Sequence, residues 1–139
     1  MHQVYDVWFD DLTVRWFHDL LRLRCDVFVV EQECVYPEVD GLDPESRHVW
    51  IEIDGEMATA LRVIPRSDHI QVGRVVTAPR FRGMGLAGQL MDHVLATGGT
   101  VELEAQSYLA HWYQRWGFTV TGPEEIIDGI PHVPMRREA

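Results

Sequence analysis

Apolar residues recur along the chain at two spacings, which predict where helices and strands lie. Steps of three and four residues predict amphipathic helices over residues 13–29, with Thr13 as N-cap, and over residues 86–95. The same spacing predicts a short helix over residues 108–116. Alternating apolar positions predict strands over residues 3–9, 48–53, 58–64, 70–77, 101–105, 118–121 and 130–136.

The order of these elements predicts an α/β fold with a mixed sheet. Asp54-Gly55 is a two-residue hairpin signal, so the strands over 48–53, 58–64 and 70–77 should be antiparallel neighbours. The strand–helix–strand unit over 70–105 should be a β-α-β crossover with parallel strands. We expect one domain, residues 1–139, with a mostly antiparallel, twisted sheet and helices on both faces.

The composition is that of an ordinary soluble protein, with 46% hydrophobic and 24% charged residues. The longest aliphatic and aromatic run, Val27–Val30, is far shorter than the roughly 20 residues that cross a bilayer. The amino terminus lacks a basic-then-apolar signal pattern. We therefore expect a cytoplasmic protein with no membrane partner.

Charge is unevenly distributed, with a formal net charge of −10. Residues 1–56 hold 14 acids and four arginines, whereas residues 57–139 hold eight of each, and residues 31–45 hold six acids and no base. This balance argues against sequence-independent nucleic-acid binding, which needs a basic surface. It favours a cationic small molecule or peptide as partner, although a solvated acidic surface explains the charge equally well.

The basic and metal-ligating residue types exclude several kinds of chemistry. All 12 basic residues are arginine, so a Walker A loop and Schiff-base lysine chemistry are ruled out. Cys25 and Cys34 form no CxxC motif, and the seven histidines show no HExxH spacing. We expect no metal site and reduced thiols.

A glycine-rich loop between the strand over 70–77 and the helix over 86–95 is a candidate anion site. Its backbone N–H groups can converge at the helix N-terminus, where a phosphate or pyrophosphate fits. A plain tight turn is the alternative. Gly83-x-Gly85-x-x-Gly88 also matches the dinucleotide-binding pattern, with Glu104 as the ribose-binding acid, but only 35 residues follow Glu104 and a second nucleotide-binding half cannot be built from them.

Arg82-x-x-Gly85-x-Ala87 resembles the (Gln/Arg)-x-x-Gly-x-(Gly/Ala) signature of the GNAT acyltransferase superfamily. The segment Trp112–Phe118 looks like that family's Tyr-x-x-x-Gly-Phe element. Five further segments are similar to its ElaA-like branch: residues 27–36, 40–43, 73–76, 105–106 and 128–132. The resemblance covers nearly the whole chain.

The resemblance implies acetyl-CoA as cosubstrate and a GNAT-like fold. It implies that the pantetheine arm lies between the strands over 73–77 and 101–105, with a backbone N–H near Val76 bonding the thioester oxygen. Tyr113 matches the family's general acid, and a packed aromatic is the alternative role. The cofactor-binding residues that the resemblance implies are Val75, Val76, Thr77, Arg82, Gly83, Met84, Gly85, Leu86, Ala87, Gly88 and Gln106.

The general base has three candidates. Glu31 is the first choice because it lies where the first helix meets the acidic loop, and His132 is the second; water is a further alternative. No acyl-enzyme is required, so we expect direct transfer to a cationic amine, by a monomer or homodimer. A non-catalytic acyl-CoA-binding module and a nucleotide-dependent oxidoreductase are the competing functions.

Overall fold

A computed structural model describes residues 2–34 and 37–139 of the chain. Val35 and Tyr36, within one of the segments that carry the family resemblance, lie outside the described residues. The elements follow the predicted α/β order. They are β1 (Tyr5–Trp8), α1 (Val14–Arg24), a π-helical segment (Cys25–Glu31), β2 (Arg47–Ile53), β3 (Glu56–Pro65), β4 (Ile70–Thr77), α2 (Leu86–Leu95), β5 (Val101–Gln106), α3 (Ala110–Gln114), β6 (Thr119–Val120), β7 (Glu125–Ile127) and β8 (Ile130–Arg137).

The strands form one mixed sheet in the order β1-β2-β3-β4-β5-β8-β6, with β7 also paired to β8. Every pairing is antiparallel except that of β4 with β5. The predicted antiparallel neighbours and the predicted crossover are both confirmed. None of the described helices has the length and apolarity needed to cross a membrane.

Two local predictions need correction. The strands predicted over residues 118–121 and 130–136 have a further strand between them, because β7 pairs with β8 around a turn in which Asp128 and Gly129 have φ of 49° and 80°. The first helix begins as predicted, with the Thr13 side chain accepting a hydrogen bond from the Trp16 amide at 3.0 Å. It then widens into π-helical turns from Cys25 onward. Apolar spacing does not separate α from π geometry.

The sheet buries a separate apolar cluster on each face. One cluster packs α2 against the sheet, and the other packs α1 against it, with Trp50 fully buried beneath Tyr5 and Trp16 at ring distances of 5.3 and 5.2 Å. The cover on the α1 side does not reach β5 and β8, so the corresponding face of those strands carries polar side chains such as Glu104, Gln106 and His132.

A bulge in β4 opens the sheet beside this polar face. Val76 lies opposite Ala60 and Gly73 opposite Arg62, so β4 holds one extra residue, and Arg74 takes a left-handed φ of 51°. The parallel pairing of β4 with β5 ends two strand positions below it, at Val72 and Leu103. The two strands diverge from there, as the family resemblance implies.

Candidate active site

Two adjoining pockets occupy the gap between β4 and β5. The larger is a groove of about 750 Å³ along the glycine-rich loop. The smaller holds about 280 Å³ and lies over the polar face of β5 and β8. Six residues line both pockets, so the two spaces meet at these side chains: Phe28, Gln32, Val75, Gln106, Leu109 and Tyr113.

The glycine-rich loop has the backbone geometry that an anion site needs. Gly83 and Gly85 have φ of 81° and 73°, which non-glycine residues rarely adopt, and Gly85 is the N-cap of α2. The amides at the start of α2 therefore face the groove without a side chain from Gly85 in front of them. Of the residues predicted to bind the cofactor, only Met84 does not line the groove, and its side chain is half exposed.

Arg82 and Glu31 are paired in the wall of the groove. The guanidinium donates to both carboxylate oxygens at 2.7 Å, and its Nε donates to the Thr77 carbonyl at 3.2 Å. Hydrogen bonding from Arg82 lowers the pKa of Glu31, although burial acts in the opposite direction. Glu31 lines the groove and not the smaller pocket. Its role as general base stays a prediction, and both observations argue against it.

The amides of β4 alternate between the sheet and the gap. The Ala78 N–H donates to the Ala58 carbonyl at 2.9 Å, and the Val76 carbonyl accepts from Thr59 on the same side. Successive strand amides point in opposite directions, so the Thr77 N–H points away from β3 into the gap, and the Val75 N–H lies on the same side. Near Val76, the amides that face the gap, where a thioester oxygen is expected, are therefore those of Val75 and Thr77.

Tyr113 lies on α3 at the junction of the two pockets, with 6% of its surface exposed. Its ring packs edge-on against Trp112 and Phe118, at centroid distances of 4.9 and 6.1 Å. Burial raises the pKa of its hydroxyl well above the ordinary value. The hydroxyl is thus protonated at neutral pH, as a proton donor must be.

His132 and Glu104 line the smaller pocket. The Nδ1 of His132 lies 2.7 Å from the Ile130 carbonyl, which can only accept, so Nδ1 carries a proton, and in the neutral imidazole the lone pair is on Nε2. Burial raises the pKa of Glu104, while the charge of His132 acts in the opposite direction. Sequence reasoning considered Glu104 only as a ribose ligand; the signal for its position was the alternation of β5, which places it on the same face as Gln106.

Gln106 and Gln32 span the junction. The Gln106 Nε2 donates to the Gln32 Oε1 at 3.3 Å. This bond connects β5 to the end of the π-helical segment, next to the groove that Gln106 was expected to line. At the rim of the smaller pocket, the Cys34 thiol donates to the Asp128 carbonyl at 2.9 Å and ties the loop after this segment to the β7–β8 turn.

A buried network of arginines and acids lies behind the smaller pocket. Arg24, with 1% of its surface exposed, donates to Glu38 at 2.6 Å and to Asp43 at 2.9 Å. Arg62 donates to Asp40 at 2.6 Å and to Asp43 at 3.2 Å. Arg74 joins through Glu38 and Asp40, so three guanidinium groups face three carboxylates.

Most acids of the acidic segment, residues 31–45, form ion pairs with arginines. Glu31 and Glu45 pair with Arg82 and Arg66, and Glu38, Asp40 and Asp43 belong to the buried network. Five of the six acids in residues 31–45 are therefore paired with arginines, and this segment no longer provides a reason to expect a cationic partner. Among residues 2–34 and 37–139, His, Cys, Asp and Glu side chains form no cluster suited to a metal ion.

The family model of the acetyltransferase (GNAT) domain matches residues 22–139. The chain belongs to the GNAT family. The GNAT relatives include a UPF0039 protein of Mycobacterium tuberculosis, 43% identical over 94% of this chain and 90% of that protein, and protein ElaA of Escherichia coli, 35% identical over 96% and 94%. This GNAT chain is also similar to the crystal structure of a Pseudomonas aeruginosa acyl-CoA N-acyltransferase, with a TM-score of 0.92, 36% identity and 99% coverage of both chains.

Membership in GNAT confirms the ElaA-like resemblance and an acyltransferase enzyme. It also favours the acyl-CoA interpretation of the glycine-rich loop over the dinucleotide-binding one. The loop follows β4 and precedes α2 and β5 in the GNAT order, and the groove beside it continues into the diverging strands. The dinucleotide-binding interpretation is set aside.

Proposed function

We propose that this protein is an acetyl-CoA-dependent N-acetyltransferase that transfers the acetyl group directly to a primary amine in a ternary complex. One observation carries the proposal: the groove along the glycine-rich loop and the smaller pocket meet at Tyr113. Two substrates entering from opposite sides would bring their reacting atoms together at this junction. No covalent enzyme intermediate is then required.

The groove fits a CoA thioester in shape and in chemistry. The loop amides at Gly83 and Gly85 suit the pyrophosphate, and the Arg82 guanidinium, held by Glu31, lies next to them. Along β4, the gap-facing amides of Val75 and Thr77 can donate to the pantetheine arm and to the thioester oxygen. A donor on that oxygen stabilises the negative charge that develops when the amine attacks.

Tyr113 at the junction and His132 in the smaller pocket can transfer the protons. The Tyr113 hydroxyl can give its proton to the departing sulfur, since burial keeps it protonated. The free Nε2 of His132 can accept a proton from the attacking amine, directly or through a water. Glu104 and Asp128 also line the smaller pocket, and their carboxylates favour an amine acceptor there.

The test is release of CoA thiol from acetyl-CoA in the presence of a panel of primary amines, with propionyl- and butyryl-CoA compared as donors. We expect turnover with acetyl-CoA and sequential kinetics. Thermal melting with acetyl-CoA or NADH gives a second readout. Stabilisation by acetyl-CoA without turnover on any amine would indicate a binding module, and stabilisation by NADH alone would contradict the proposal.

A further inference from the structure

The buried Arg62 side chain lines the smaller pocket and has one N–H, on Nε, for which the described part of the chain supplies no hydrogen-bond partner. Arg62 has 4% of its surface exposed, and its terminal nitrogens donate to Asp40 and Asp43. Buried donors are nearly always paired because an unpaired one is costly. A ligand oxygen in the pocket would satisfy it.

Gly73 keeps the space beside this nitrogen open. It lies opposite Arg62 in the β3–β4 pairing, and a Cβ at position 73 would lie 4.0 Å from the Arg62 Nε, with no other atom that near outside its chain neighbours. Gly73 is not among the residues with a left-handed φ. The backbone therefore does not require glycine at this position, and a side chain there would occupy space next to the donor.

The distance from this donor to the reaction centre limits the ligand. Gly73 lies opposite Arg62, and Val76, which stands between the gap-facing amides of Val75 and Thr77, lies opposite Ala60. Arg62 and Ala60 are two positions apart on β3, so the backbones at the two places are roughly 7 Å apart. The pocket itself holds only about 280 Å³. Its charged side chains differ in sign, with Glu104 and Asp128 as carboxylates and Arg62 and Arg74 as guanidinium groups. A short molecule with an amine at one end and an oxygen at the other matches this arrangement.

We propose that Arg62 Nε binds a carboxylate or carbonyl oxygen of the acceptor, so that the acceptor class is a short ω-amino acid or its amide. The proposal rests on the proposed function, because it assigns the smaller pocket to the acceptor. The amine end lies toward Tyr113 and the oxygen end toward Gly73. The network of Arg24, Asp40 and Asp43 fixes the orientation of the guanidinium.

The experiment compares acceptors that differ only in the oxygen-bearing group. Glycine, β-alanine, γ-aminobutyrate, δ-aminovalerate and ε-aminocaproate are each paired with the alkylamine that lacks the carboxylate, and the amides of the same acids separate charge from hydrogen bonding. We expect the best acid or amide to exceed its alkylamine at least tenfold in kcat/KM. In Gly73→Ala this ratio should fall to about one, with the melting temperature of the variant reporting on its folding.

Equal kcat/KM for each acid and its alkylamine in the wild type would overturn the inference and leave the acetyltransferase proposal intact, whatever the stability of Gly73→Ala. Absence of turnover with every amine would instead contradict the proposed function. In that case, melting curves measured with the ω-amino acids test the Arg62 site. A rise in melting temperature that Gly73→Ala abolishes supports the Arg62 site, and no rise in the wild type refutes it.

Discussion

Arg82 and Glu31 hold each other in a two-bond ion pair that joins the glycine-rich loop to the π-helical segment, 51 residues away in the chain. The pair makes Arg82 a fixed part of the groove wall, because its Nε also bonds the Thr77 carbonyl. The Glu31 carboxylate in turn holds the Arg82 guanidinium in position. A carboxylate whose pKa is lowered in this way is a weak proton acceptor.

Replacement of Glu31 by glutamine should therefore change cosubstrate binding and leave the pH dependence as it is. We expect KM for acetyl-CoA to rise about 2- to 5-fold, which is the size of a partly exposed ion pair, with the acidic limb of the kcat/KM profile unchanged. Steady-state kinetics between pH 5 and pH 9 measure both quantities. If the acidic limb disappears, Glu31 is the base after all.

His132→Gln is the matching experiment for the base. Glutamine can still donate to the Ile130 carbonyl but provides no nitrogen lone pair, so kcat should fall about 100-fold. The acidic limb of the pH–rate profile should be lost together with the rate, while KM for acetyl-CoA stays near the wild-type value. A full rate with the original profile would assign proton removal to water or to Glu104.

Tyr113→Phe removes the proposed proton donor and keeps the ring that packs on Trp112 and Phe118. We expect kcat to fall about 100-fold or more with little change in KM for acetyl-CoA. Tyr5→Phe, on the far edge strand and stacked on Trp50, is the control and should have wild-type kinetics. An unchanged kcat in Tyr113→Phe would restrict Tyr113 to packing.

The sequence predicts most of the fold because strong local signals agree with the tertiary structure. Thr13 capping, the Asp54-Gly55 turn and the apolar face of α2 each depend on a few neighbouring residues, and all are present as expected. Pairing over long sequence distances is different. Arg24 on the buried face of α1 and Arg62 within the apolar β3 are both signals of buried ion pairs, but only the folded chain shows that their partners are the acids of residues 38–43.

Gly85→Ala tests whether the left-handed turn before α2 serves acetyl-CoA binding. Alanine at a φ of 73° is strained by about 1–2 kcal/mol, and relief of this strain would turn the loop amides away from the groove. We expect at least a tenfold weaker Kd for acetyl-CoA by calorimetry. Gly98→Ala, with the same φ outside the groove, should lose similar stability and keep the wild-type Kd.

Arg24→Met tests the buried network. It leaves Glu38 and Asp43 buried with fewer countercharges, so we expect the free energy of unfolding to fall by about 3 kcal/mol in urea denaturation. Arg22→Met, two residues earlier on the exposed side of α1, removes only a 3.8 Å ion pair with Asp26. This variant should change the free energy of unfolding by less than about 0.5 kcal/mol. Equal effects would mean that the network contributes no more than a surface pair.

The same network should make stability depend on acid pH through Asp40. Burial alone would raise the pKa of this carboxyl, but hydrogen bonds from Arg62 and the Leu42 amide, with the charges of Arg62 and Arg74, lower it from 3.8 to about 2. Because the folded-state pKa lies below the ordinary value, the stabilisation is complete above about pH 4 and is lost as the pH falls toward 2. It amounts to about 2 kcal/mol.

Asp40→Asn should therefore be less stable than the wild type by this amount at pH 6, and the difference should shrink between pH 4 and pH 2. Urea denaturation across this range measures it, with the exposed Asp26→Asn as control; a difference that does not change with pH would show that Asp40 contributes through packing alone.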